Sequence, residues 1–211
     1  MSIPLSRDLI VDAAMAIIDK EGVDALSMRK LGARLKVEAM SLYHHVANKD
    51  ALLDLVVERF VMKAATAPEA RSGNWQDRLR GFTRHFYETL ISSPRLLPLL
   101  TTHSPRSATA MAEFTGAIGA LVETGFASVE AYCIINSLSL MAYGHALAMA
   151  EHPIQKRAMA EPTDQTVYAD YLVKLFRDPQ ALTDRHRHMF EFALTTFLDG
   201  LSLLHQQTTH R

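Results

Sequence analysis

The chain has 211 residues, enough for one sizeable core or for a small domain joined to a larger one. Hydrophobic residues make up 48% and charged residues 21%, which excludes a disordered chain. The net charge of −1 excludes a strongly basic protein, so any surface for nucleic acid must be a local patch, and the single Cys133 excludes disulfides within the chain.

The N-terminal stretch is charged rather than continuously apolar, so we predict no signal peptide and a cytoplasmic protein. One segment, 131–150, contains no Asp, Glu, Lys or Arg and has the length of a membrane span. It also contains Asn136, Tyr143 and His145, and the chain has no second segment like it. We therefore expect a buried helix there.

Apolar residues recur at helical spacing along the whole chain, and no hairpin signal interrupts them, so we predict an all-α fold. The first helix is predicted between an N-cap at Ser6 and a stop at Gly22. A second begins at Ser27, a short third covers roughly 38–45, and a fourth follows an N-cap at Asn48 and runs to residue 63.

A small, polar stretch broken by Pro68 and Gly73 then indicates a linker. We predict an N-terminal helix-turn-helix domain over 1–63, including the connecting helix 48–63, and a larger helical domain over 74–211. The predicted helices of the second domain are 74–92, 95–101, 107–124, 128–151, 165–177 and 184–206.

Positive charge is concentrated where the second and third helices meet. Residues 27–49 hold five basic side chains and one acidic side chain, Glu38. A helix-turn-helix that binds DNA needs positive charge at this place, because one helix crosses the phosphate backbone and the next enters the major groove.

The same region carries a recognisable motif. Leu-Ser-x-Arg in the second helix is followed by Leu-Tyr-x-His-Val in the third and by Asn-Lys-x-x-Leu at the start of the fourth. Segment 26–56 resembles the DNA-binding domain of the TetR family of bacterial repressors. Gly32 stands where alanine is usual, which should cost up to about 1 kcal/mol of helix stability without changing the fold.

The resemblance implies roles for nine residues at the DNA. Arg29 reaches base edges or phosphate, Ser41 and Tyr43 contact backbone or bases, and Ser27 caps its helix and can bond a phosphate. Ala39 and Met40 can contact a thymine methyl group but cannot hydrogen-bond a base. The remaining candidates are His45 and Lys49 at phosphates, and His44, which lies at or beside the DNA.

The C-terminal part resembles the tetracycline-repressor-like domain, with Trp75 and Pro94 early and a Gly-Phe turn at 125–126. This implies a ligand-binding and dimerisation domain, and hence a homodimer that binds a palindromic operator and a largely apolar small-molecule effector. The candidate ligand-binding residues are Phe82, Phe86, His103, Met111, Phe114, Leu138, Met141 and His145.

Helices 128–151 and 184–206 are the predicted dimer elements, which would form a four-helix bundle with their copies in a second chain. The residues expected to supply its apolar faces are Leu138, Ala142, Ala146, Phe190, Leu194, Phe197 and Leu201.

Other interpretations stay open. Tyr43 could be a packing aromatic, and the apolar candidates in the C-terminal part could be core residues. We predict no metal or cofactor, because His44 and His45 diverge by about 100° on a helix. His103 lies near the histidine that would bind a tetracycline–magnesium complex, but Ala148 occupies the matching carboxylate position.

The chain lacks the glycine-rich and nucleophile motifs that mark common enzyme sites, so we predict no enzyme activity. The function predicted is a DNA-binding repressor released by an effector. The alternatives are an activator or constitutive DNA-binding regulator without an effector, and a helical ligand-binding protein or enzyme on the same fold.

Overall fold

The computed structural model describes residues 4–66, 73–150 and 179–209, and each regular element within them is helical, as predicted. The α-helices are α1 Arg7–Glu21, α2 Met28–Leu35, α3 Ala39–Leu42, α4 Lys49–Ala65, α5 Trp75–Ser92, α6 Ala108–Val122, α7 Ser128–Ala150 and α8 Pro179–Thr209. Two 3-10 helices, Val23–Ala25 and Pro94–Thr101, lie between them.

Most predicted helix ends lie within two residues of the observed ends, and three predicted helices differ in length or in type. The third helix is shorter than 38–45, because only Ala39–Leu42 is α-helical and a turn follows it. The predicted helix 95–101 is a 3-10 helix with Pro98 inside it, since proline has no N–H to donate. The last helix begins at Pro179 rather than 184, and the predicted helix 165–177 lies outside the described residues.

The predicted caps of the N-terminal helices are confirmed. The side chains of Ser6, Ser27 and Asn48 accept hydrogen bonds from the N–H groups of the third residue in each helix. Gly22 ends α1 with φ 89°, a left-handed value that glycine adopts without strain, and donates its N–H to the Ile18 carbonyl.

The chain divides into two compact units. The first comprises Met1–Ala67 and Ser92–Ala117. In it α1 packs against α2, α4 and the 3-10 helix Pro94–Thr101. Fully buried apolar side chains line these contacts, among them Ile10, Ala14, Ile18, Leu31, Leu52 and Val56. Arg59 of α4 also pairs with Asp8 and Asp12 of α1.

Gly32 lies where α2 meets the turn that leads into α3. The turn folds back so closely that Val37 donates its N–H to the Gly32 carbonyl at 2.9 Å. A Cβ at Gly32 would stand 2.8 Å from the Val37 carbonyl oxygen and 3.2 Å from the Ala39 nitrogen. The absence of a side chain therefore permits the close approach that sets α3 against α2.

Replacing Gly32 with alanine brings two opposing effects. Alanine favours the helix by about 1 kcal/mol, while forcing backbone apart costs about 1–3 kcal/mol. We expect a net fall of about 1 kcal/mol in the free energy of unfolding. Chemical denaturation measures it, with Ala33→Gly on the exposed side of α2 as the control for propensity alone. A more stable Gly32→Ala protein would contradict the steric argument.

The second unit comprises Pro68–Ile91 and Ile118–Arg211, and α7 packs on α8 within it. Polar pairs join α5 to α8: Arg84 makes two hydrogen bonds to the Glu191 carboxylate, at 2.8 and 2.6 Å. These hydrogen bonds to Glu191 raise the pKa of Arg84. Inside, Tyr87 of α5 stacks on Phe190 of α8 with ring centroids 4.0 Å apart.

The helix Ser128–Ala150 is long and apolar enough to cross a membrane by length and composition. One such helix is weak evidence for a membrane protein, because core helices pass the same test. Its residues Ala131, Ile134, Leu138, Ala142 and Ala146 are buried in the second unit. One face of the helix is therefore buried as predicted, whereas Val129, Tyr132 and Leu140 on its other side are exposed.

Candidate nucleic-acid interface and effector core

One side of the helix-turn-helix is buried and the other faces solvent. Leu31, Leu42 and Val46 are buried and fix α2 and α3 on the domain core. Among the nine predicted DNA residues, Ser27, Arg29, Met40, Tyr43 and His44 are exposed, and Ala39, Ser41, His45 and Lys49 are partly exposed. The predicted set therefore lies on the solvent side of the motif, and none of it is buried.

The recognition helix α3 presents an unusual outer face. Met40 is 70% exposed and Tyr43 is 44% exposed, although both are large apolar side chains. These two side chains give the outer face of α3 an apolar surface that a partner can cover. The Met40 side chain suits contact with a thymine methyl group, and the Tyr43 hydroxyl suits a sugar or phosphate group.

The cations beside α3 are largely available. Lys30 is occupied by an ion pair with Glu21 of α1, which lowers the pKa of Glu21. Among the described residues, no carboxylate forms an ion pair with Arg29, Arg34 or Lys49. Lys49 also opens α4, and a helix N-terminus favours anions. The arrangement suits a phosphate backbone.

The two adjacent histidines have different surroundings. His44 is exposed, whereas His45 is partly buried and offers its backbone carbonyl to another helix. The structure contains no group of three or more metal-ligating side chains among the residues that it describes.

Arg7 is a residue that sequence reasoning missed. Its Nε donates to the His45 carbonyl at 3.3 Å and so joins the start of α1 to the turn after α3. The two residues are 38 positions apart, and no motif connects them. The sequence did contain a signal for this contact, because Arg7 is a cation in the first turn of a helix. The helix dipole disfavours a cation there, which favours a partner elsewhere.

The predicted ligand residues fall into two groups. Five lie in the second unit: Phe82 stacks on Phe86 at 5.8 Å, Leu138 is fully buried, and Met141 and His145 are partly buried. His103, Met111 and Phe114 lie in the first unit. Met111 is 54% exposed, and the His103 Nδ1 is 2.9 Å from the Thr102 hydroxyl.

An aromatic cluster surrounds His145. Its ring meets the Phe190 ring edge-on at 5.8 Å, and Phe190 stacks on Tyr87. The Tyr87 hydroxyl points to the Met149 sulfur at 3.7 Å, and burial raises the pKa of that hydroxyl. Sequence analysis missed Tyr87, although it lies on the same apolar stripe of α5 as Leu79, Phe86 and Leu90.

Burial also lowers the pKa of His145, because the charged imidazolium loses its hydration. Unfolding restores the ordinary value of about 6.5, so the unfolded chain binds the proton more tightly. We expect the stability contributed by a neutral His145 to be present above pH 6.5 or so and lost as pH falls below it. Comparing the pH dependence of unfolding in wild type and His145→Gln measures this, and identical slopes would contradict it.

Comparisons with known proteins agree with these features. Residues 10–56 match the family described as bacterial regulatory proteins, tetR family, and residues 67–204 match the tetracyclin repressor-like C-terminal domain. A tetracycline repressor protein of class E from Escherichia coli is 30% identical over 147 residues, covering 68% of each chain. A transcriptional regulator from Saccharopolyspora erythraea is 34% identical over 126 residues, which is 60% of this chain. The matched stretch spans about half of that relative, 53% of its length.

Solved structures have the same fold. The TetR family protein ActR of Streptomyces coelicolor, in complex with actinorhodin, superposes with a TM-score of 0.74 at 27% identity, covering 94% of this chain and 95% of that one. A possible TetR family regulator from the same organism has a TM-score of 0.77 at 24% identity, covering 94% of this chain and all of the other. This chain therefore belongs to the TetR family of bacterial transcriptional regulators.

Proposed function

We propose that this protein is a cytoplasmic, homodimeric repressor that binds a palindromic DNA operator and releases it when a small molecule binds its C-terminal domain. The observation that carries the proposal is the outer face of the helix-turn-helix. There Arg29, Met40 and Tyr43 are exposed while Leu31 and Leu42 anchor the same helices in the core.

At the operator, α3 lies in the major groove and the start of α4 meets the backbone. Lys49, His45 and Ser27 contact phosphates and set the register. Arg29, Ser41 and Tyr43 reach backbone or base edges, and Met40 with Ala39 favours a thymine methyl group. His44 lies at the edge of this surface. Arg7 joins the set, because its hydrogen bond to His45 fixes the end of α3.

We place the dimer interface on α7 and α8, but five of the seven residues predicted for it from the sequence do not fit, whereas Phe197 and Leu201 are partly exposed. Leu138, Ala142, Ala146, Phe190 and Leu194 are all buried within a single chain, so they cannot be the surface offered to a second copy. The exposed large apolar side chains of the two helices are instead Val129, Tyr132, Leu140, Met189, Phe192, Leu203 and Leu204.

These exposed residues share faces. Val129, Tyr132 and Leu140 fall on one side of α7, opposite the buried Leu138, and Met189, Phe192 and Leu203 fall on one side of α8. An exposed apolar surface of this kind on two adjacent helices marks an interface between proteins. A second copy is the occupant, since a two-fold DNA reader places one recognition helix in each half-site.

We assign DNA binding to residues 1–63 and effector binding with dimerisation to residues 74–211. We place the effector site in the second unit, where Phe82 stacks on Phe86 and where His145 meets Phe190 edge-on. Leu138 and Met141 of the same unit complete this part of the predicted set. His103, Met111 and Phe114 lie in the first unit and remain separate predictions. Apolar linings with soft methionines suit a largely apolar ligand. That ligand must bind the DNA-free shape more tightly than the DNA-bound shape.

The test is selection of bound duplexes from a random pool, followed by titration at several salt concentrations. We expect wild type to select an inverted repeat and Lys49→Ala to bind every duplex more weakly, with the salt slope shallower by roughly one unit. Asp50→Ala, next along α4, is the control and should not make the slope shallower. An unchanged salt slope in Lys49→Ala would exclude the phosphate contact assigned to Lys49. Failure of the wild type to select any duplex would refute the repressor proposal.

A further inference from the structure

A small cavity lies between the start of α7 and the end of α8. Its volume is about 240 Å³, and all the residues that line it belong to the second unit. Its wall includes Glu130, Cys133 and Ser137 of α7 and Phe197, Leu201 and His205 of α8. The cavity is separate from the effector site proposed above, because Leu138, Met141 and His145 do not line it.

The apolar stripe of α8 explains why a cavity forms here. Leu194 of this stripe is fully buried, and Phe197 and Leu201 continue the stripe at spacings of three and four residues. These two side chains are only partly buried, because the residues of α7 that line the same cavity include the small Cys133 and Ser137. The helix pair therefore carries an apolar surface that its own described side chains do not fill.

Aromatic rings form part of the cavity wall. The His205 ring stacks on the Phe126 ring, with centroids 4.4 Å apart and 26° between the planes, and both residues line the cavity. Trp75 of α5 meets these two rings edge-on, at 5.1 Å from Phe126 and 5.6 Å from His205. Aromatic side chains attract a further ring in offset-stacked or edge-to-face geometry. This wall favours a planar aromatic ligand.

The charge of the lining favours a cation over an anion. Glu130 supplies a carboxylate, and the described lining includes no lysine or arginine. Oε2 of Glu130 accepts from the Ala127 N–H at 3.0 Å, and the Ala127 carbonyl accepts the first hydrogen bond of α7. This is the return bond of a capping box, and it holds the carboxylate in place at the cavity. A carboxylate accepts several hydrogen bonds, so it can receive an ammonium group as well.

We propose that the cavity between α7 and α8 is a second small-molecule site, which binds a small aromatic amine. The cavity is smaller than the range of about 300–1,000 Å³ for drug-sized ligands, so it suits a molecule of one or two rings. The ring would lie against Phe126, Phe197 and His205, and the ammonium would meet the Glu130 carboxylate. The proposal concerns the second unit alone and does not depend on DNA binding.

The chain carries its own reporters of this site. Trp75 is the only tryptophan and Cys133 the only cysteine of the sequence. The probe is phenethylamine, and phenylacetate is the control molecule of similar shape and opposite charge. We expect phenethylamine to change the Trp75 emission of the full-length protein and to slow the alkylation of Cys133 by iodoacetamide. Both responses should saturate over the same concentrations, and phenylacetate should cause neither.

Two substitutions test the role of the carboxylate. Glu130→Gln keeps an oxygen that can accept from the Ala127 N–H but removes the charge. We expect it to weaken phenethylamine binding about two- to fivefold, the range for an exposed ion pair. Glu123→Gln makes the same change at an exposed glutamate outside the cavity and should leave the affinity at the wild-type value.

Two further substitutions test the cavity itself. Ser137→Phe fills the cavity with a ring of the protein and should abolish both responses. Ser128→Phe, the same change at an exposed position of α7 that does not line the cavity, should leave both responses intact. Thermal unfolding shows whether each variant folds, and Ser137→Leu carries the comparison where Ser137→Phe does not.

Three results would overturn the proposal. If neither reporter responds to millimolar phenethylamine, another segment of the chain or a second copy fills the cavity. If phenylacetate binds equally well, the lining does not select an amine. If folded Ser137→Phe binds phenethylamine as wild type does, the amine binds elsewhere. Since none of these measurements uses DNA, their failure is distinct from failure of the repressor function.

Discussion

Replacing Phe190 with alanine should lower the free energy of unfolding by about 3–5 kcal/mol, the range for deleting a fully buried aromatic ring. Phe190 is 1% exposed and stacks on Tyr87 at 4.0 Å, while His145 meets its edge at 5.8 Å. Alanine would leave a cavity beside the polar ring of His145 and the Tyr87 hydroxyl. Because three helices supply the walls of this cavity, they cannot freely collapse to fill it. Denaturant titration at fixed protein concentration measures the loss.

Phe192, two residues along the same helix, is the matched control. It is 68% exposed, so Phe192→Ala leaves the core of the single chain unchanged. Its effect on unfolding should be smaller and should depend on protein concentration, since it acts on association rather than on the fold. A Phe190→Ala loss below about 1 kcal/mol, or one as concentration-dependent as that of Phe192→Ala, would contradict the assignment of Phe190 to the core.

These two phenylalanines also illustrate what the sequence could not determine. Helix α8 carries apolar residues on more than one side, so its periodicity does not distinguish the face packed inside the chain from the face left outside. Phe190 and Leu194 are predicted for the dimer from their spacing, and the structure places both in the core. Composition alone was enough to predict which helices form the dimer. Predicting which face of each helix points outward required knowing which helices pack against it inside the chain.

The helix-turn-helix was predictable because its signals are local. A cap such as Ser27 bonds a residue three positions away, and the spacing from Arg29 to Lys49 is a motif within one short segment. Other contacts join residues 38 to 76 positions apart: Arg7 with the His45 carbonyl, Arg95 with the Asp19 carbonyl, and Glu58 with the Ser107 N–H. Nothing in a single sequence pairs these residues. The close approach at Gly32 was predictable only in part. The sequence showed a glycine where alanine is usual, but it did not show that the Val37 carbonyl lies against it.

Replacing Phe192 with glutamate should convert the dimer to a folded monomer and weaken operator binding by about 10²–10⁴, the gain that linking two binding modules provides. Phe192 lies on the exposed apolar face of α8 with Met189 and Leu203. In a dimer built on this face a glutamate would be buried without a partner in either copy, and two-fold symmetry would bring in two such charges. Analytical ultracentrifugation and titration of the selected duplex measure the two effects.

Two further variants separate the interface from general damage. Leu140→Glu, on the outer face of α7 and 68% exposed, should act like Phe192→Glu, because the proposed interface includes the exposed faces of both helices. Val122→Glu places the same charge on an exposed valine of α6 and should leave a dimer with wild-type affinity. A Phe192→Glu protein that remains dimeric would exclude this face as the interface. A monomer that retained full operator affinity would instead remove the need for two linked recognition helices, and with it the reason for proposing a palindromic operator.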